Sequence, residues 1–379
     1  MVTDLVVKIH TTKEEFEALK KEWSDLLFRS HSHSVFLTWE WLFSWWCHVA
    51  DNCTLWLLTV RNREGKLMGI GPFCTSKKGI FTVRILTFLG TTRIASEYLD
   101  IIASQEHAEE VALAMTEVIF KNKESWDLIE LSDLLDNSAI STYFKKYLDP
   151  KQVFIEQSVS QSCPYLKLPH NREAFFKMLG PETRATLKRR TKKLRQLGAE
   201  MEILDSNDKL ASRMNTLFSL HGKRWALKGL KGNLGDDPIR DFHEQVTRNF
   251  LDQGWLRLYS LKVNDKVIAS LYAFQFGKTL FYYQAGFDPE WSDKSPGFVL
   301  MGQCIEDAID RGLTEFDYLR GLESYKSRWT KTCRETFCLT AVPSGHFRGY
   351  LHVRSKKMLK TAKGRIKQVI FPLIGKSLS

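Results

Sequence analysis

Apolar positions in the first half of the chain follow helical spacing and then strand-like spacing. Thr12 to Phe28 has apolar residues three and four apart, which predicts an amphipathic helix. The aromatic segment FLTWEWLFSWWCHV predicts a second helix with Thr38 as its N-cap. Strand-like runs follow in TLWLLTV, KLMGIGPFCTS and FTVRILTFLG. The segment EYLDIIA and the predicted helix EHAEEVALAMTEVIFKN then lead to the predicted strand WDLIELSDL.

The second half of the chain repeats this order of elements. Predicted helices around Leu210 to Leu227 and Ile239 to Gln253 precede the strands WLRLYSLKV, VIASLYAFQF and TLFYYQAGF. The tripeptide SPG then begins the helix FVLMGQCIEDAIDRG, and EFDYLRG is the next predicted strand. The pairs of strands LWLLTVRNREGKLMGIGPF and LRLYSLKVNDKVIASLYAF correspond most closely. We therefore predict an α/β protein with two copies of one unit, joined near residues 150–183.

The composition fits this organisation. A chain of 379 residues with 43% apolar and 26% charged residues is typical of a globular protein with two domains. We place the N-terminal domain at residues 1–155, the C-terminal domain at 156–345 and a basic tail at 346–379. No apolar run reaches the ~20 residues that cross a bilayer, and the N-terminus lacks a signal-peptide pattern. We therefore expect a cytoplasmic protein.

The net charge of +11 comes from two acid-free segments. Residues 346–379 and 184–195 are rich in Lys and Arg, and the rest of the chain carries more acidic than basic residues. This distribution suggests two anionic partners or surfaces rather than a generally basic protein. The seven Cys form no CxxC pattern, and HSHS at residues 31–34 is a weak metal signal that is more typical of a polar loop. We predict no metal site.

Each basic segment has more than one interpretation. Residues 184–195 suit a solvated helix face or a docking surface for a phosphate-bearing acceptor, such as a nucleotide-linked or lipid-linked sugar. Nucleic acid is disfavoured because aromatic residues do not interleave with the basic ones. The tail has apolar residues at helical spacing between Lys and Arg, which suits an anionic membrane surface or a helix docked on the protein. We favour peripheral binding to the inner face of a membrane.

The segment FDYLRGLESYKSRWTK combines charged, aromatic and hydroxyl groups directly after a predicted strand. The chain has no GxSxG, GxxxxGK[ST], HExxH or complete GxGxxG motif, which disfavours serine-hydrolase and metal chemistry. Ser295, Pro296 and Gly297 suit an ordinary helix start with Ser295 as N-cap. A helix start beyond a strand also suits an anion, because its N–H groups lack partners.

SPG, the apolar helix ending in DRG, FDYLRG and YKSRW together resemble the CelD-type branch of the GNAT acyltransferases, which is associated with cellulose and exopolysaccharide synthesis. The resemblance covers residues 160–335, including LKRRTKKLRQLG and HGKRW, and extends more loosely to FLTWEWLFSWW. The FemABX aminoacyltransferases are distantly similar. The resemblance implies a tandem GNAT fold: two mixed-sheet α/β units, here followed by a C-terminal basic helix.

The resemblance also implies a co-substrate, acetyl-CoA or another acyl-CoA, with no resident cofactor. The strand TLFYYQAGF would pair with the pantetheine arm through Gln284, Ala285 and Gly286. The helix start at Ser295, Pro296 and Gly297 would bind the pyrophosphate through backbone N–H groups. The usual GNAT phosphate signature, Gln or Arg followed by x-x-Gly-x-Gly or Ala, is not present in WSDKSPG.

The implied reaction moves an acyl group, in the first instance acetyl, to an amino or hydroxyl group of a sugar or cell-envelope precursor. Direct attack on a thioester needs a route for the nucleophile's proton and a proton for the departing thiolate. By residue type and position in the family motif, we predict Asp317, Glu323 and Tyr325 as catalytic residues. Asp317 has an alternative role, which is to pair with Arg320 at the strand exit.

Two groups of residues are predicted to bind the substrate. His221, Arg224 and Trp225 lie close together on one predicted helix. Arg320, Lys326 and Arg328 follow the last predicted strand and suit an anionic substrate. Two other functions stay open: a FemABX-like aminoacyltransferase that uses aminoacyl-tRNA, and a non-catalytic GNAT scaffold in an envelope-synthesis complex.

Overall fold

The computed structural model describes residues 5–79, 82–91, 93–226, 229, 232 and 234–359. The strands of the N-terminal half are β1 (Val6–His10), β2 (Cys53–Leu55), β3 (Leu57–Arg61), β4 (Leu67–Gly71), β5 (Phe73–Lys78), β6 (Val83–Phe88), β7 (Ile102–Ala103) and β8 (Leu128–Leu134). Its helices are α1 (Lys13–Ala18), α2 (Lys20–Phe28), α3 (Trp39–His48), α4 (Ala108–Lys121) and α5 (Ala139–Tyr147).

The remaining elements form the C-terminal half and the strands that join the halves. The strands are β9 (Val153–Lys167), β10 (Glu200–Ile203), β11 (Leu256–Val263), β12 (Lys266–Phe276), β13 (Thr279–Phe287), β14 (Glu315–Asp317) and β15 (Cys333–Pro343). The helices are α6 (Arg172–Met178), α7 (Pro181–Gln196), α8 (Leu210–Ala226), α9 (Asp237–Asp252), α10 (Pro296–Asp310) and α11, whose described part is 347–359.

Local sequence explains most of these elements. The Thr38 side chain accepts a hydrogen bond from the Trp41 N–H, which confirms Thr38 as the N-cap of the aromatic helix. The single helix predicted for Thr12 to Phe28 is two helices that meet at Leu19. The strand predicted for EFDYLRG is shorter than expected and ends at Asp317. Leu319 has a φ of 55°, a left-handed conformation that cannot continue a strand.

The two halves share one sheet. An eleven-stranded sheet has the order β10-β11-β12-β13-β14-β9-β15-β8-β6-β5-β2, and β1, β3, β4 and β7 form a separate four-stranded sheet. β9 and β15 pair antiparallel along their lengths. β15 also pairs with β8 of the N-terminal half, and the end of β9 pairs with β14 of the C-terminal half. β9, which follows the N-terminal half in the chain, therefore pairs with the C-terminal half. β15, which follows the C-terminal half, pairs with the N-terminal half.

This shared sheet changes the predicted domain organisation. Residues 150–183, predicted as a junction, contain the fifteen-residue strand β9, and the predicted boundary at 155/156 falls inside it. The segment VFIEQSVSQSCPYLK is largely polar and half-buried, so its hydrophobic pattern gave no strand signal. β15 was also absent from the predicted elements.

Two apolar cores lie on opposite faces of the C-terminal strands. Phe274, Phe281 and Tyr283 belong to the large core that extends through the N-terminal half. Leu280 and Tyr282, which alternate with them on β13, belong to a second core under α7 and α10. This alternation separates a face of β13 that meets the other half from a face that meets α10.

The described part of the basic tail docks on the N-terminal half. Tyr350 and Val353 of α11 pack on a small cluster that includes Phe154. Lys356 pairs with Glu130 at 2.5 Å, and Lys357 pairs with Glu156 at 2.8 Å. Residues 346–359 therefore follow the docked-helix alternative, while 360–379, which carry the rest of the predicted membrane segment, lie outside the described residues. Among the described helices, none has the length and apolar character needed to span a membrane.

Candidate functional site

A cavity with mostly apolar walls opens in the C-terminal half where β13 and β14 separate. The two strands pair in parallel only at Thr279–Phe281 and Glu315–Asp317, and β13 then continues to Phe287 without that partner. The cavity beside this free edge has a volume of about 380 Å³. Its walls come from β13, the start of α10 and the loop that follows β14; the lining residues are Arg224, Tyr282, Ala285, Gly286, Phe287, Ser292, Ser295, Pro296, Gly297, Phe298, Met301, Ser324, Tyr325, Arg328 and Trp329.

A β-bulge and a glycine shape the free edge of β13. Tyr272 of β12 pairs with Gln284 of β13, and Ala273 pairs with Tyr282. Tyr283 therefore has no partner on β12 and is the extra residue of the bulge. A Cβ at Gly286 would lie 2.4 Å from the backbone nitrogen of His221, so only glycine lets α8 approach the strand this closely. Six residues of strand, Tyr282 to Phe287, span roughly 20 Å and leave one edge for an extended ligand.

The start of α10 lies at the mouth of the cavity. Ser295 occupies the N-cap position, but its φ of 57° is left-handed and its side chain makes no capping hydrogen bond. The predicted capping role of the Ser295 side chain is therefore wrong. At Gly297 a Cβ would meet only Phe287, at 3.6 Å, so the protein itself does not require glycine there. Pro296 has no N–H, and the Phe298 N–H donates to the Ser295 carbonyl at 3.1 Å, so this helix start offers the Gly297 N–H and the positive end of the helix dipole to the cavity.

Tyr325 is the predicted catalytic residue that lines this cavity. Its phenol oxygen donates to the Tyr282 oxygen at 3.3 Å. Burial is the main cause that raises the pKa of Tyr325, so the phenol stays protonated at neutral pH. The Arg224 guanidinium lies 5.8 Å from the Tyr325 ring centroid and donates to the Ala285 carbonyl at 3.2 Å. The structure thus brings Arg224 and Tyr325 together at the cavity wall.

His221 and Trp225 lie behind this wall rather than on it. The Trp225 indole donates to His221 Nε2 at 2.8 Å. Burial, with a smaller contribution from the nearby Arg224 charge, lowers the pKa of His221 to about 4, so the ring is neutral. Neither residue is among those that line the cavity. Their substrate-binding roles stay predictions, and the hydrogen bond between them lies within α8.

The predicted anion-binding residues in the loop after β14 differ in whether their charges face the cavity. Lys326 is 3% exposed, and its ammonium donates to the carbonyls of Arg320 and Gly321 at 2.7 and 3.2 Å. It also pairs with Glu323 at 2.9 Å. Lys326 therefore holds the loop together, which differs from the predicted contact with phosphate. Arg328 lies at the cavity rim over the Phe298 ring and keeps the predicted access to an anion.

Asp317 faces the N-terminal half of the protein. Its carboxylate accepts hydrogen bonds from the Tyr98 phenol at 2.8 Å and the Leu319 N–H at 2.7 Å. Complete burial raises its pKa to about 7, and the Arg334 charge opposes this shift. Phe316, the neighbouring residue of β14, faces the α10 core, so Asp317 lies on the other face of the strand. Its catalytic role stays a prediction, and Asp317 is not among the residues that line the cavity beside β13.

Arg320 joins the two halves. Its guanidinium donates to the Glu97 carboxylate and to the Ser96 carbonyl, and lies 3.4 Å from Asp133. The alternative pairing of Arg320 with Asp317 is therefore not formed. Burial raises the pKa of Glu97, while Arg320 lowers it. Arg320 compensates a buried acid of the N-terminal half, and this use differs from the predicted contact with substrate.

Helix α7 carries the basic segment 184–195 along the side of α10. Leu187 and Leu194 are its buried residues, and Leu187 packs against Gly302 of α10. Arg190 donates to the Asp293 carbonyl in the turn that precedes α10. The basic helix therefore lies beside the cavity mouth.

Sequence reasoning missed the aromatic walls of the cavity. Tyr282, Phe287, Phe298 and Met301 line it, and so does Trp329, which we interpreted as a packing residue. Their positions beside SPG and YKSRW could have suggested this, but apolar residues give no sign of whether they face a core or a cavity. The described residues contain no group of three His, Cys, Asp or Glu that could hold a metal ion.

Comparisons with known proteins support this description of the C-terminal half. Residues 181–327 match the family model described as an acetyltransferase (GNAT) domain. No curated protein matches the chain in sequence.

Solved structures resemble the whole fold at low identity. FemX is 10% identical with a TM-score of 0.60, over 88% of this chain and 96% of that chain. The structure of L-PGS from Bacillus licheniformis is 11% identical with a TM-score of 0.55, over 90% and 96% of the two chains. The C-terminal domain of a protein described as a lysylphosphatidylglycerol synthetase from Agrobacterium fabrum is 9% identical with a TM-score of 0.53, over 91% and 96%.

These matches establish the fold. The chain has a mixed α/β architecture with a GNAT acetyltransferase domain, as predicted from the resemblance. The cavity at the separated strands lies within the matched residues, apart from the last two residues of its lining.

Proposed function

We propose that the protein is an acyltransferase that moves an acyl group, in the first instance acetyl, from acyl-CoA to an amino or hydroxyl group of a sugar or cell-envelope precursor. The acceptor class, with its link to exopolysaccharide or cellulose synthesis, rests on the CelD-type resemblance of residues 160–335. The GNAT domain at 181–327 supports acyl transfer.

One observation carries the proposal of a CoA donor: the cavity joins a free strand edge to an uncapped helix start. The edge of Tyr282 to Phe287 has about the length of an extended pantetheine arm. The arm would place its thioester near Tyr282, where the strands separate. Its pyrophosphate would then reach the Gly297 N–H and the positive end of the α10 dipole.

The residues at the separation point suit acyl transfer without a covalent enzyme intermediate. In the proposed step the acceptor's amine or hydroxyl attacks the thioester carbonyl, a carbon–nitrogen or carbon–oxygen bond forms, and the carbon–sulfur bond breaks. The protonated Tyr325 phenol is the group that we assign to protonate the thiolate. Glu323, which is half-exposed and paired with Lys326, is the proposed acceptor of the nucleophile's proton.

A second candidate is transfer of an aminoacyl group from aminoacyl-tRNA. The basic face of α7 beside the cavity mouth favours it, because a polynucleotide needs such a surface. The similarity to FemX concerns the fold alone. A third alternative, a non-catalytic scaffold, would bind the donor without turnover.

Binding of the donor tests the proposal directly. Thermal unfolding with acetyl-CoA and longer acyl-CoA species should show stabilisation, about 2.7 kcal/mol at a hundredfold excess over Kd. Gly297→Leu should abolish it, because the new side chain would extend from beside Phe287 into the mouth of the cavity that both residues line. Gly222→Leu is the matched control: it makes the same change on an exposed helical position with nothing within 4 Å.

Three results would separate the alternatives. Stabilisation of the native protein and of Gly222→Leu, with none in Gly297→Leu, supports the CoA site. Absence of any effect of CoA compounds, with binding of aminoacyl-tRNA, would favour the second candidate. Binding with no thiol release across amino-sugar acceptors would indicate the scaffold.

We further propose that residues 360–379 bind an anionic membrane surface. They contain Lys and Arg among Ile, Val, Leu and Phe, and lie beyond the docked part of α11. Deleting 360–379 should abolish co-sedimentation with vesicles of anionic phospholipid while leaving the docked helix in place. Unchanged binding would refute this proposal.

A further inference from the structure

The basic helix α7 has two sides that differ in their neighbours. Arg190 donates to the carbonyl of Asp293, and Lys193 lies about 60° from Arg190 on the helical wheel, so both residues lie on the side of α7 toward this turn. The hydrogen bond from Lys294 is the main cause that lowers the pKa of Asp293, and the charges of Lys193 and Arg190 contribute. On the other side, Arg195 lies near Glu306 of α10; burial raises the pKa of Glu306, and the charges of Arg172 and Arg195 oppose this shift. Lys188 lies near Arg195 on the helical wheel, about 20° away at 100° per residue. One side of α7 therefore faces the turn at the cavity mouth, and the other faces away from it.

The side that faces the mouth carries two cations, Arg190 and Lys193, that form no salt bridge within the described residues. Lys193 is exposed and forms no salt bridge within the described residues, and Arg190 is half-buried with its hydrogen bond going to a neutral carbonyl. The nearby Asp293 is paired with Lys294 at 3.1 Å. Lys193 and Arg189, which follow each other at i and i+4, repel each other in the free protein. A bound anion would remove this repulsion.

The size of the cavity decides which anion fits. Its volume of about 380 Å³ holds the pantetheine part of CoA but leaves no room for the nucleotide. Ser292, Ser295 and Gly297 line its mouth, so the nucleotide must lie outside, over the turn Pro289–Lys294. Arg190 and Lys193 flank this turn.

We infer that Arg190 and Lys193 bind the 3′-phosphate of the CoA nucleotide and thereby select 3′-phosphorylated CoA donors. This inference rests on the proposed CoA donor and adds the group that the basic helix recognises. A phosphomonoester carries nearly two negative charges at neutral pH, and guanidinium and ammonium groups bind it by charge-assisted hydrogen bonds. Of the basic residues 184–195, those that bind the phosphate are therefore Arg190 and Lys193, on the side of α7 that faces the turn.

Calorimetric binding of three ligands tests the inference independently of the acceptor: CoA, 3′-dephospho-CoA and pantetheine. The native protein should bind CoA about fivefold more tightly than 3′-dephospho-CoA, a typical effect for partly exposed ion pairs. In Arg190→Gln/Lys193→Gln this ratio should fall to about one, while the affinity for pantetheine stays unchanged. Lys193→Gln alone should lower the ratio in part, and it keeps the Arg190 contact with the turn intact.

The control is Lys188→Gln/Arg195→Gln, which removes the same charge from the other side of α7. It should keep the fivefold ratio. An equal loss of the ratio in both double variants would overturn the inference, because it would show a general charge effect. Equal affinity of the native protein for CoA and 3′-dephospho-CoA would overturn it as well, with the proposed donor site intact. No binding of any of the three ligands would overturn the proposed CoA donor and this inference with it.

Discussion

The two halves of the protein separate a pair of parallel strands in the same way but use the gap differently. β6 and β8 pair in parallel only around Ile85 and Leu86, as β13 and β14 do only at Thr279–Phe281. In the C-terminal half the short turn Pro289–Lys294 leads directly to α10, and the gap is a cavity. In the N-terminal half residues 89–107 lead to α4, and this longer connection crosses the end of β8.

The connection in the N-terminal half supplies its own contacts where a ligand would lie. The Leu99 N–H donates to the Asp133 carbonyl of β8, and Leu89, Leu99 and Ile101 are buried. The same segment presents Glu97 to Arg320 and Tyr98 to Asp317. One half therefore keeps an open cavity, the proposed donor site, while the other half uses the equivalent position to hold the exit of β14.

The largest expected effect is on the ion pair that joins the halves. Arg320→Ala should lower the free energy of unfolding by about 3–5 kcal/mol, because Glu97 would stay buried without its partner. Arg172→Ala, which removes an exposed pair with Asp310, should cost about 1 kcal/mol or less. Chemical denaturation measures both. Equal losses would contradict the role of Glu97 as a buried acid held by Arg320.

The next effect concerns the pH dependence contributed by Asp317. Its pKa of about 7 in the folded protein exceeds the ordinary value of 3.8, so the folded state keeps this proton to higher pH than the unfolded chain. Stability should therefore fall as pH rises from about 4 to 7, by up to a few kcal/mol. Asp317→Asn should flatten this part of the curve in denaturation between pH 4 and 8.

The same variant also tests the predicted catalytic role of Asp317. The strand lies between its carboxylate and the cavity, so we expect Asp317→Asn to keep most of the turnover. A loss of a hundredfold or more at unchanged stability would instead place Asp317 among the catalytic residues. An unaltered pH curve would show that Tyr98 and Arg334 already keep the carboxylate ionised.

A smaller effect is expected in the C-terminal half, where the gap between the strands is a cavity. Tyr325→Phe should lower kcat about a hundredfold with little change in KM, because only the proton for the thiolate is removed. Tyr282→Phe is the control: it removes the oxygen that accepts from Tyr325 at 3.3 Å and should cost less than tenfold. Thiol release in steady state measures both. Full turnover in Tyr325→Phe would remove it from the mechanism.

The smallest effect tests how tightly the N-terminal connection is packed. Gly90 has a φ of 82°, and a Cβ there would lie 3.0 Å from Leu42 and Ser96. Gly198 has a φ of 77° with nothing within 4 Å. Both Ala variants carry the left-handed strain of about 1–2 kcal/mol, but Gly90→Ala should cost about 1–2 kcal/mol more from overpacking. Equal thermal shifts would mean that Leu42 and Ser96 move aside for the new methyl group, so the connection would not be tightly packed.

Much of the fold could be predicted because local patterns encode it. The order of helices and strands, the Thr38 cap and the helix after SPG follow from periodicity and capping chemistry. The strand β9 could not be predicted, since its half-buried sequence, polar at its centre, becomes a strand only between neighbours from both halves. β15 pairs with β9 on one side and with β8 of the N-terminal half on the other. The role of residues 89–107 could not be predicted either, because it depends on the end of β8.

The candidate site divides in a similar way. Tyr325, Ala285, Gly286, Ser295, Pro296 and Gly297 were predicted, and the structure brings them together with Arg224 and Arg328 around one cavity. Gln284, His221 and Trp225 lie next to it but do not line it. Asp317 ends β14, and Arg320 and Lys326 follow it, yet their respective partners are Tyr98, Glu97 and loop carbonyls.

The sequence by itself determined the order of elements, the basic helix and the helix that begins after SPG, because spacing and residue type act over a few neighbouring positions. Only the tertiary structure decided which charged groups after β14 face a ligand and which hold the two halves together. A charge finds its partner by proximity in space, and the partners of Arg320 and Asp317 come from a connection more than two hundred residues earlier in the chain.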